Sequence, residues 1–558
     1  MTTLMSKPVS EMDQPYSRRW AALGVLCLSL LIVVMANTAL IVAAPDMTRD
    51  LGLTSTQLQW VIDGYTVPYA ALMLLFGVIG DKYSRRGALL AGLAVFAGGA
   101  VFGSIADTTN AVIAARMIMG VGAAIIMPAT LSLLVATFPK AERSRAIAAW
   151  AATSGLAIAL GPLLAGWILD SHSWSITFLI NVPIAAVAAV AAVFLVPPSK
   201  AEHLGRIDWI GGALSVVTIG SLVYSIINGF HFGWTGGPIG AAVLAAIGLV
   251  SFVVWELRHP QPLLDVRKLG QRMVGGATLA VLLLFLAAFG AIYFISQQFQ
   301  FILGYGALET GVRLLPLAIA VSIGAVVSGR ITPLIGVRAS IVGGMVVAAI
   351  GVLILTQVDG DSGYWMFAVP LILLGLGIGL SEPPATDAIM DNFSEDDLGA
   401  AGGLNDTAIE LGGSLGIAIL GSILAASYKD SIAGFIDGMQ VPQLTGELAQ
   451  QAAYAMEVSG ESVGGASLVA EEMAGNPLAA AQAGPLLDAA GSAYADAISA
   501  ASWAGGLALF VGAVVVAFIL PGKKARVHVP PASVCGARPQ GVFGDHHRGG
   551  PPPRLGRG

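Results

Sequence analysis

Fourteen stretches of about 17–25 mostly apolar residues, parted by polar turns, constrain this chain more than any other feature in it. Their approximate cores are 20–44, 57–79, 87–105, 110–138, 143–169, 175–196, 209–227, 239–255, 273–295, 310–327, 340–357, 365–390, 400–426 and 497–520. Segments of this length cross a bilayer as helices, because a helix satisfies its backbone N–H and C=O groups within itself and hydrocarbon offers no other partners. The balance of residues agrees. Of the 558 residues 56% are hydrophobic and 11% charged, where soluble domains carry roughly a quarter charged residues. The first run is longer than a signal-peptide core of about 7–15 residues, so it counts as a span.

Composition also excludes several classes. A net charge of −6 argues against nucleic acid as a partner. The 2 cysteines, Cys27 in the first span and Cys535 near the end, support neither a disulfide framework nor a metal cluster. Cys27 reads as a small buried apolar side chain. His546-His547 read as a solvated pair, so no metal is expected. No Gly-x4-Gly-Lys-Ser/Thr stretch occurs, which removes the usual cradle for ATP phosphates. Nothing points to an enzyme.

The basic residues set the topology. With the N-terminus on the cytoplasmic side, 24 of the 28 lysines and arginines fall in cytoplasmic segments. Only Arg49 and Lys429 lie outside, and Arg116 and Arg313 lie within helices. That asymmetry predicts a multi-pass inner (plasma) membrane protein with both termini cytoplasmic. Thr54 to Gln57 reads as a capping box that opens helix 2.

The two ends of the chain echo each other. Leu160-Gly161-Pro162 in helix 5 matches Leu420-Gly421-Ser422 in helix 13, and Pro128-Ala129-Thr130 in helix 4 matches Pro384-Ala385-Thr386 in helix 12. The turn Gly77 to Arg86 matches Gly329 to Arg338. Each pairing joins helix n to helix n+8, so a six-helix unit repeats around an inserted pair, helices 7 and 8. The expected fold is an all-α membrane protein of two six-helix halves, 20–198 and 259–520, with the inserted pair in 199–258. Parallel halves around a midplane site are a transporter architecture. Residues 1–19 form a cytoplasmic N-terminus. The segment 428–491 is an outside loop, too polar to span, read equally as a cover over the outer mouth or as disorder. The Pro-, Gly- and Arg-rich segment 521–558 reads as a disordered cytoplasmic tail.

Charged residues inside apolar helices are costly, and each is a functional hypothesis. Asp63 stands about seven residues into helix 2, roughly 10 Å deep from the outer side, and Arg116 reaches a similar depth in helix 4. The two are expected to neutralise each other, either as a pair that breaks and re-forms or as a fixed structural pair. Glu410 falls near the midplane of helix 13, with Asp406 one turn earlier on the same face. Desolvation disfavours the ionised form there, so such a carboxyl can hold a proton, release it to one side, or be neutralised by a cation. Helix-packing hydrogen bonds are the alternative role for both. Glu382 precedes Pro383-Pro384 in helix 12 at a depth close to Asp406, and two prolines free backbone carbonyls. Asp387 lies nearer the cytoplasmic edge. Arg313, with Glu309 one turn before it, is expected to snorkel to the headgroups.

Small residues in helix 5 (Gly155, Gly161, Pro162, Gly166) permit close helix contact and sliding. Trp60, Tyr65, Tyr69, Tyr293 and Phe294 are candidates to line an apolar cavity and stack on a cation, with ordinary packing as the alternative.

The stretch Gly77-Val78-Ile79-Gly80-Asp81-Lys82-Tyr83-Ser84-Arg85-Arg86 resembles the loop 2–3 signature of the major facilitator superfamily. Arg116 to Gly122 resembles its helix 4 signature, and Ala157 to Gly166 resembles the helix 5 antiporter signature of exporters. Met35-Ala36-Asn37-Thr38, with Pro45, is similar to the helix 1 signature of the fourteen-helix drug:proton antiporters. Trp60 to Asp63 and Asn405 to Gly413 further resemble the QacA- and LfrA-like multidrug efflux pumps. The resemblance spans roughly residues 20–520 and implies the major facilitator fold. It implies that Asp63 and Glu410 are proton or cation sites and that Arg116 assists proton transfer. It also implies that Gly161-Pro162 favours exchange, and that Asp81 with Arg85 and Arg86, beside Gly77 and Lys82, latches the inner gate. Three positions depart from the pattern: Ala36 stands where an acid is usual, Ser84 where glycine is usual, and Pro333 where the second half would repeat Asp81.

The resulting expectation is a proton-coupled efflux antiporter for lipophilic cations such as quaternary ammonium compounds, dyes and fluoroquinolones. It is expected to be driven by the proton gradient without a cofactor and to be a monomer. An exporter of an endogenous antibiotic, siderophore or lipid, and a non-transporting membrane scaffold or receptor, are the alternatives.

Overall fold

The computed structural model describes residues 16–53, 55–202, 206–360, 362–439, 447–476 and 479–522. The capping residue Thr54, Cys535, His546-His547 and the tail from residue 523 lie outside these. Among the described residues there is no strand, and 14 helices are long and apolar enough to cross a membrane. In chain order the helices are α1 (Arg19–Leu51), α2 (Ser55–Tyr83), α3 (Arg85–Ser104), α4 (Thr109–Thr137), α5 (Lys140–Leu169) and α6 (Ser175–Leu195). The inserted pair is α7 (Trp209–Phe232) and α8 (Gly236–Arg258). Then follow α9 (Arg272–Gln297), α10 (Ala307–Ile335), α11 (Val337–Ile354), α12 (Trp365–Asp391), α13 (Leu398–Gly438), α14 (Glu447–Glu461), α15 (Val463–Gly475) and α16 (Ala480–Ile519). The protein is a multi-pass membrane protein.

Local chemistry sets several helix ends. α1 stops where Gly52 adopts φ 61° and its N–H reaches the Thr48 carbonyl, a left-handed cap that favours glycine. Ser84 begins α3 by accepting the Gly87 N–H at 2.9 Å. A serine there therefore supplies an N-cap that glycine would not.

Two helices exceed the membrane. α13 has 41 residues and α16 has 40. At about 1.5 Å per residue each is about 60 Å long, twice the hydrocarbon thickness of about 30 Å. The described part of 428–491 is therefore not disordered. It comprises the projecting ends of α13 and α16, with α14 and α15 between them. The Tyr428 hydroxyl donates to the Ser459 carbonyl at 3.0 Å, and Val469, Ala470 and Leu486 form a small apolar core beside Phe435 and Val458. Alanine-rich helices with a polar face are too hydrophilic to cross a bilayer, but they pack on each other at its edge.

Helices α1–α6 pack mainly with one another, as do α9–α13 with α16. Between these groups α2 meets α13 and α5 meets α10, and the two contacts exchange when helix n is matched to helix n+8. The inserted pair leans on α2 and α13: Val223 and Ile227 of α7 pack with Ala70 of α2 and Leu411 of α13.

Candidate functional site

The basic loops share one face of the bundle, and there the two halves are locked together. Asp81, at the end of α2, is 1% exposed. Its Oδ1 accepts Arg85 Nε at 2.6 Å, and its Oδ2 accepts the backbone N–H of Gly399 at the start of α13. Arg85 also donates to Ser199 Oγ at 3.0 Å and to the Glu395 carbonyl at 2.5 Å, so it bridges the halves. Residues 199–201 run alongside, with the Arg85 N–H on the Ser199 carbonyl and the Ala201 N–H on the Asp81 carbonyl, both at 2.8 Å. Gly77 and Gly399 touch backbone to backbone, and a Cβ on either would collide with the other's carbonyl. Arg143 reaches Asp391 across the same seam at 2.8 Å. Beneath the lock a crevice of about 640 Å³ is lined by Arg85, Lys140, Arg143, Lys200, Asp391 and Glu395. Arg86 serves differently from the expectation: it donates to the Val196 carbonyl at 3.2 Å within its own half and does not cross. Lys82 sits 5.9 Å from the Tyr83 ring.

The second group of residues lies deeper, on α12 and α13. Glu382 is 2% exposed and Asp406 is 1% exposed. Asp406 Oδ1 accepts from Asn405 Nδ2 at 3.1 Å, and Asn405 Oδ1 accepts from Thr386 Oγ1 at 3.0 Å, which ties the two helices. Glu382 Oε1 and Asp406 Oδ2 are buried without a hydrogen-bond partner among the described residues. A buried carboxylate oxygen left unpaired is costly unless it carries a proton or meets a cation. Glu410, one turn on, is half-buried and lies within electrostatic reach of Asp406 and of Tyr65 and Tyr69 on α2. The structure thus gathers Glu382, Asp406 and Glu410 on one half, opposite Tyr65 and Tyr69 on the other.

Arg116 is 1% exposed and finds other partners than the acid predicted for it. Its guanidinium donates to Asn37 Oδ1 at 3.1 Å, to the Val61 carbonyl at 3.2 Å and to the Ala36 carbonyl at 3.4 Å, and it stacks 4.3 Å from the Tyr65 ring. Asp63 is not among them, although it is buried at 3% exposure two residues beyond Val61. Equal depth along two helices does not decide which way side chains point around them. Asn37, next to Ala36 in helix 1, supplies a neutral acceptor to the arginine. Arg313, expected at the headgroups, pairs with Glu309 at 2.6 Å and lies over the Tyr305 ring at 3.6 Å.

The small residues of α5 are contact points. A Cβ on Gly161 would strike Thr38 and approach the Met35 carbonyl at 2.8 Å, so α1 and α5 touch closely there. A Cβ added to Gly155 would lie 3.0 Å from Val321, one on Gly166 3.0 Å from Leu308, and one on Gly311 3.2 Å from Pro162, so α5 meets α10 at all three. One helix therefore contacts its own half and the opposite half through glycines. Among the aromatics, Tyr65 is enclosed, its hydroxyl on the Val33 carbonyl at 2.9 Å, and Tyr69 packs 5.5 Å from it. Both are buried, packed side chains, and Phe294 is fully buried as well. Trp60 is half-buried and pairs with Tyr224 of the inserted helix α7 at 5.7 Å, while Tyr293 lies over Gly421. The sequence reading quoted Asn37, Thr386 and Asn405 within motifs without giving them a role, and passed over Tyr224, Ser199, Glu395 and Gly399. The acidic run Glu395-Asp396-Asp397 beside the basic turn was a signal for Glu395.

The chain is similar to known transport proteins. The multidrug efflux pump LfrA of Mycolicibacterium smegmatis is 32% identical over 504 residues, covering 90% of this chain and 96% of LfrA. The tetracenomycin C resistance and export protein of Streptomyces glaucescens is 30% identical over 418 residues, covering 74% of this chain and 77% of that protein. The crystal structure of the human organic anion transporter MFSD10 superposes with a TM-score of 0.54 at 14% identity, over 73% of this chain and 93% of that one, a likeness of fold. The family model for the Major Facilitator Superfamily matches residues 26–417. Fourteen spans, a glycine-to-glycine lock on the basic face and this match together place the chain in the major facilitator superfamily, among relatives that are efflux and resistance transporters.

Proposed function

We propose that this chain is a proton-coupled exporter of lipophilic, mostly cationic compounds such as quaternary ammonium compounds, dyes and fluoroquinolones. The observation that carries the reading is the pair of unpartnered carboxylate oxygens, Glu382 Oε1 and Asp406 Oδ2, beside half-buried Glu410. Such groups are best satisfied by a proton or by a positively charged ligand, and exchange of one for the other is antiport. With the basic face cytoplasmic, as the lysine and arginine asymmetry favours, the lock at Asp81, Arg85 and Gly399 is the inner gate, and here it is shut. Protons from outside load Asp63 and Glu410. Rocking of the halves opens the inner gate, a lipophilic cation displaces the protons, and the return movement exports it. Arg116 stays bonded to Asn37 and two carbonyls, which keeps a fixed positive charge near Asp63. The membrane potential supplies about 2.3 kcal/mol per charge per 100 mV, and the pH gradient adds to it. The protein acts as a monomer in the inner (plasma) membrane, with both termini cytoplasmic and no cofactor.

A second reading, export of an endogenous antibiotic-like product, is favoured by the relative named for tetracenomycin C resistance and export. It leaves the fold and the coupling unchanged. The test is ethidium movement in inverted vesicles holding the protein, with and without an imposed pH gradient. Gradient-dependent uptake is expected. Its absence would sink the drug-pump reading, and transport that persists unchanged in Glu410→Gln would favour an uncoupled or scaffold role.

A further inference from the structure

The inserted helix pair carries two buried carboxyls that the transport reading does not use. Asp208, 5% exposed, caps α7, and Glu256, 0% exposed, is near the end of α8. Three of their four oxygens have N–H donors. Asp208 Oδ1 accepts from the Gly211 N–H at 2.8 Å, Asp208 Oδ2 from Trp255 Nε1 at 2.8 Å, and Glu256 Oε2 from the Leu264 N–H at 3.3 Å. The fourth, Glu256 Oε1, is buried with no hydrogen-bond partner among the described residues. It faces Asp208 Oδ2 across Gly211, where an added Cβ would collide with both oxygens. Two like charges in so enclosed a place repel. The other charged or titratable groups around the pair among the described residues are His259, its Nδ1 3.6 Å from Asp208 Oδ2, Asp265 on the following loop, and Arg206 and Lys268, which line the same crevice as Asp208.

We propose that Glu256 holds a proton on Oε1 directed at Asp208 Oδ2, a proton-binding site in the inserted pair that lies off the transport path and acts on the inner gate. With the proton in place every oxygen of the pair has a partner, since Glu256 Oε1–H donates to Asp208 Oδ2 alongside the Trp255 N–H. Without it, two anions face each other and the strain falls on what they hold. Glu256 holds Leu264, and the same short loop continues to Lys268, whose ammonium lies 3.9 Å from Asp397 and 4.2 Å from the Phe393 ring. Asp397 and Phe393 flank Glu395, whose carbonyl binds Arg85 of the lock. A proton leaving the pair therefore loosens the strap that reaches from α8 to the gate loop. The exchangeable oxygens belong to the basic face, so the site reads the proton concentration on that side. This inference does not depend on which compound is carried.

The test is amide hydrogen exchange of residues 262–270 in the full-length protein in lipid nanodiscs. Wild type is compared with Glu256→Gln at each pH from about 5 to about 9, a span wide enough to cross the titration of a buried carboxyl pair. Comparing the two proteins at the same pH cancels the intrinsic pH dependence of exchange. The neutral amide of Glu256→Gln keeps the shape and donates to Asp208 at every pH. The expected result is equal exchange at the acid end and at least about threefold faster exchange in wild type at the alkaline end. Equal exchange across the whole range would overturn the proposal, as would a pH-dependent excess centred on residues far from 262–270. Asp208→Glu, which retains the acid, keeps the test open should the glutamine variant fail to fold: its loop must then loosen with rising pH as the wild type's does.

Discussion

The carboxylate of Asp81 accepts the backbone N–H of Gly399, a residue 318 positions along the chain and in the opposite half of the bundle. Together with Arg85 it makes the inner lock depend on one buried acid. Asp81→Asn keeps the shape but removes the charge opposite Arg85. Breaking a buried ion pair costs about 3–5 kcal/mol, and a tenfold change in a closed-to-open ratio needs only about 1.4 kcal/mol. A cysteine at Leu131, which is buried against Gly402 in the same seam, reports opening. In a Cys27→Ser, Cys535→Ser background, which removes both native thiols, labelling of Leu131→Cys by a membrane-impermeant thiol reagent from the basic face should rise at least about tenfold when Asp81→Asn is added. Unchanged labelling would mean that the glycine contact alone holds the gate.

Gly161 tests the close approach of α1 and α5. An added methyl there meets Thr38 and the Met35 carbonyl, and neither is the free end of a flexible chain. Overpacking of this kind costs about 1–3 kcal/mol. Gly161→Ala should lower the thermal midpoint of the detergent-solubilised protein and slow transport at least severalfold. The double variant Gly161→Ala, Thr38→Ala should recover part of the midpoint, because Thr38 is the atom most in the way. Absence of recovery would assign the clash to the backbone of α1 instead.

The fourteen spans and the burial of the intramembrane acids were legible in the sequence, for identifiable reasons. Spans follow from apolar length, a one-dimensional property. Glu382, Asp406 and Glu410 stood out because hydrocarbon makes each of them expensive. Two things were not legible. The partner of Arg116 depended on side-chain direction around the helix, so depth pointed to Asp63 where the structure supplies Asn37, Ala36 and Val61. The helices α14 and α15 carry too many polar residues to register as spans, and their stability comes from packing on projecting ends of α13 and α16 that nothing local in the sequence announces. The partners of the lock, Gly399 and the Glu395 carbonyl, are backbone groups and carry no side-chain signature at all.

Glu382 and Asp406 make opposite predictions for stability and for transport. Each has an oxygen buried without a partner, so a neutral amide removes a cost that the carboxylate bears. Glu382→Gln and Asp406→Asn should leave the thermal midpoint unchanged or raise it, while proton-driven ethidium transport falls at least about tenfold. A lowered midpoint with intact transport would make these acids packing groups and remove them from the coupling mechanism.

Asp63 is the sharper case, because the structure separates it from the base it was expected to neutralise. Arg116 is held by Asn37 and two carbonyls, so substituting Asp63 takes no partner from Arg116. A fixed structural pair would make Asp63→Asn strongly destabilising, by about 3–5 kcal/mol, through an orphaned arginine. Without that pair the variant leaves no arginine orphaned, so its midpoint should fall by less than that cost. Coupled transport should still be lost, because a proton-loading carboxyl has been replaced by a group that cannot ionise. Arg116→Lys provides the contrast: a lysine cannot make the same three bonds and stack on Tyr65, so it should lower the midpoint as well as transport. Measured side by side, a destabilised Asp63→Asn with a stable Arg116→Lys would reverse the two roles. The expected pattern, a stable but uncoupled Asp63→Asn, would assign proton loading to α2 and structural support to Arg116.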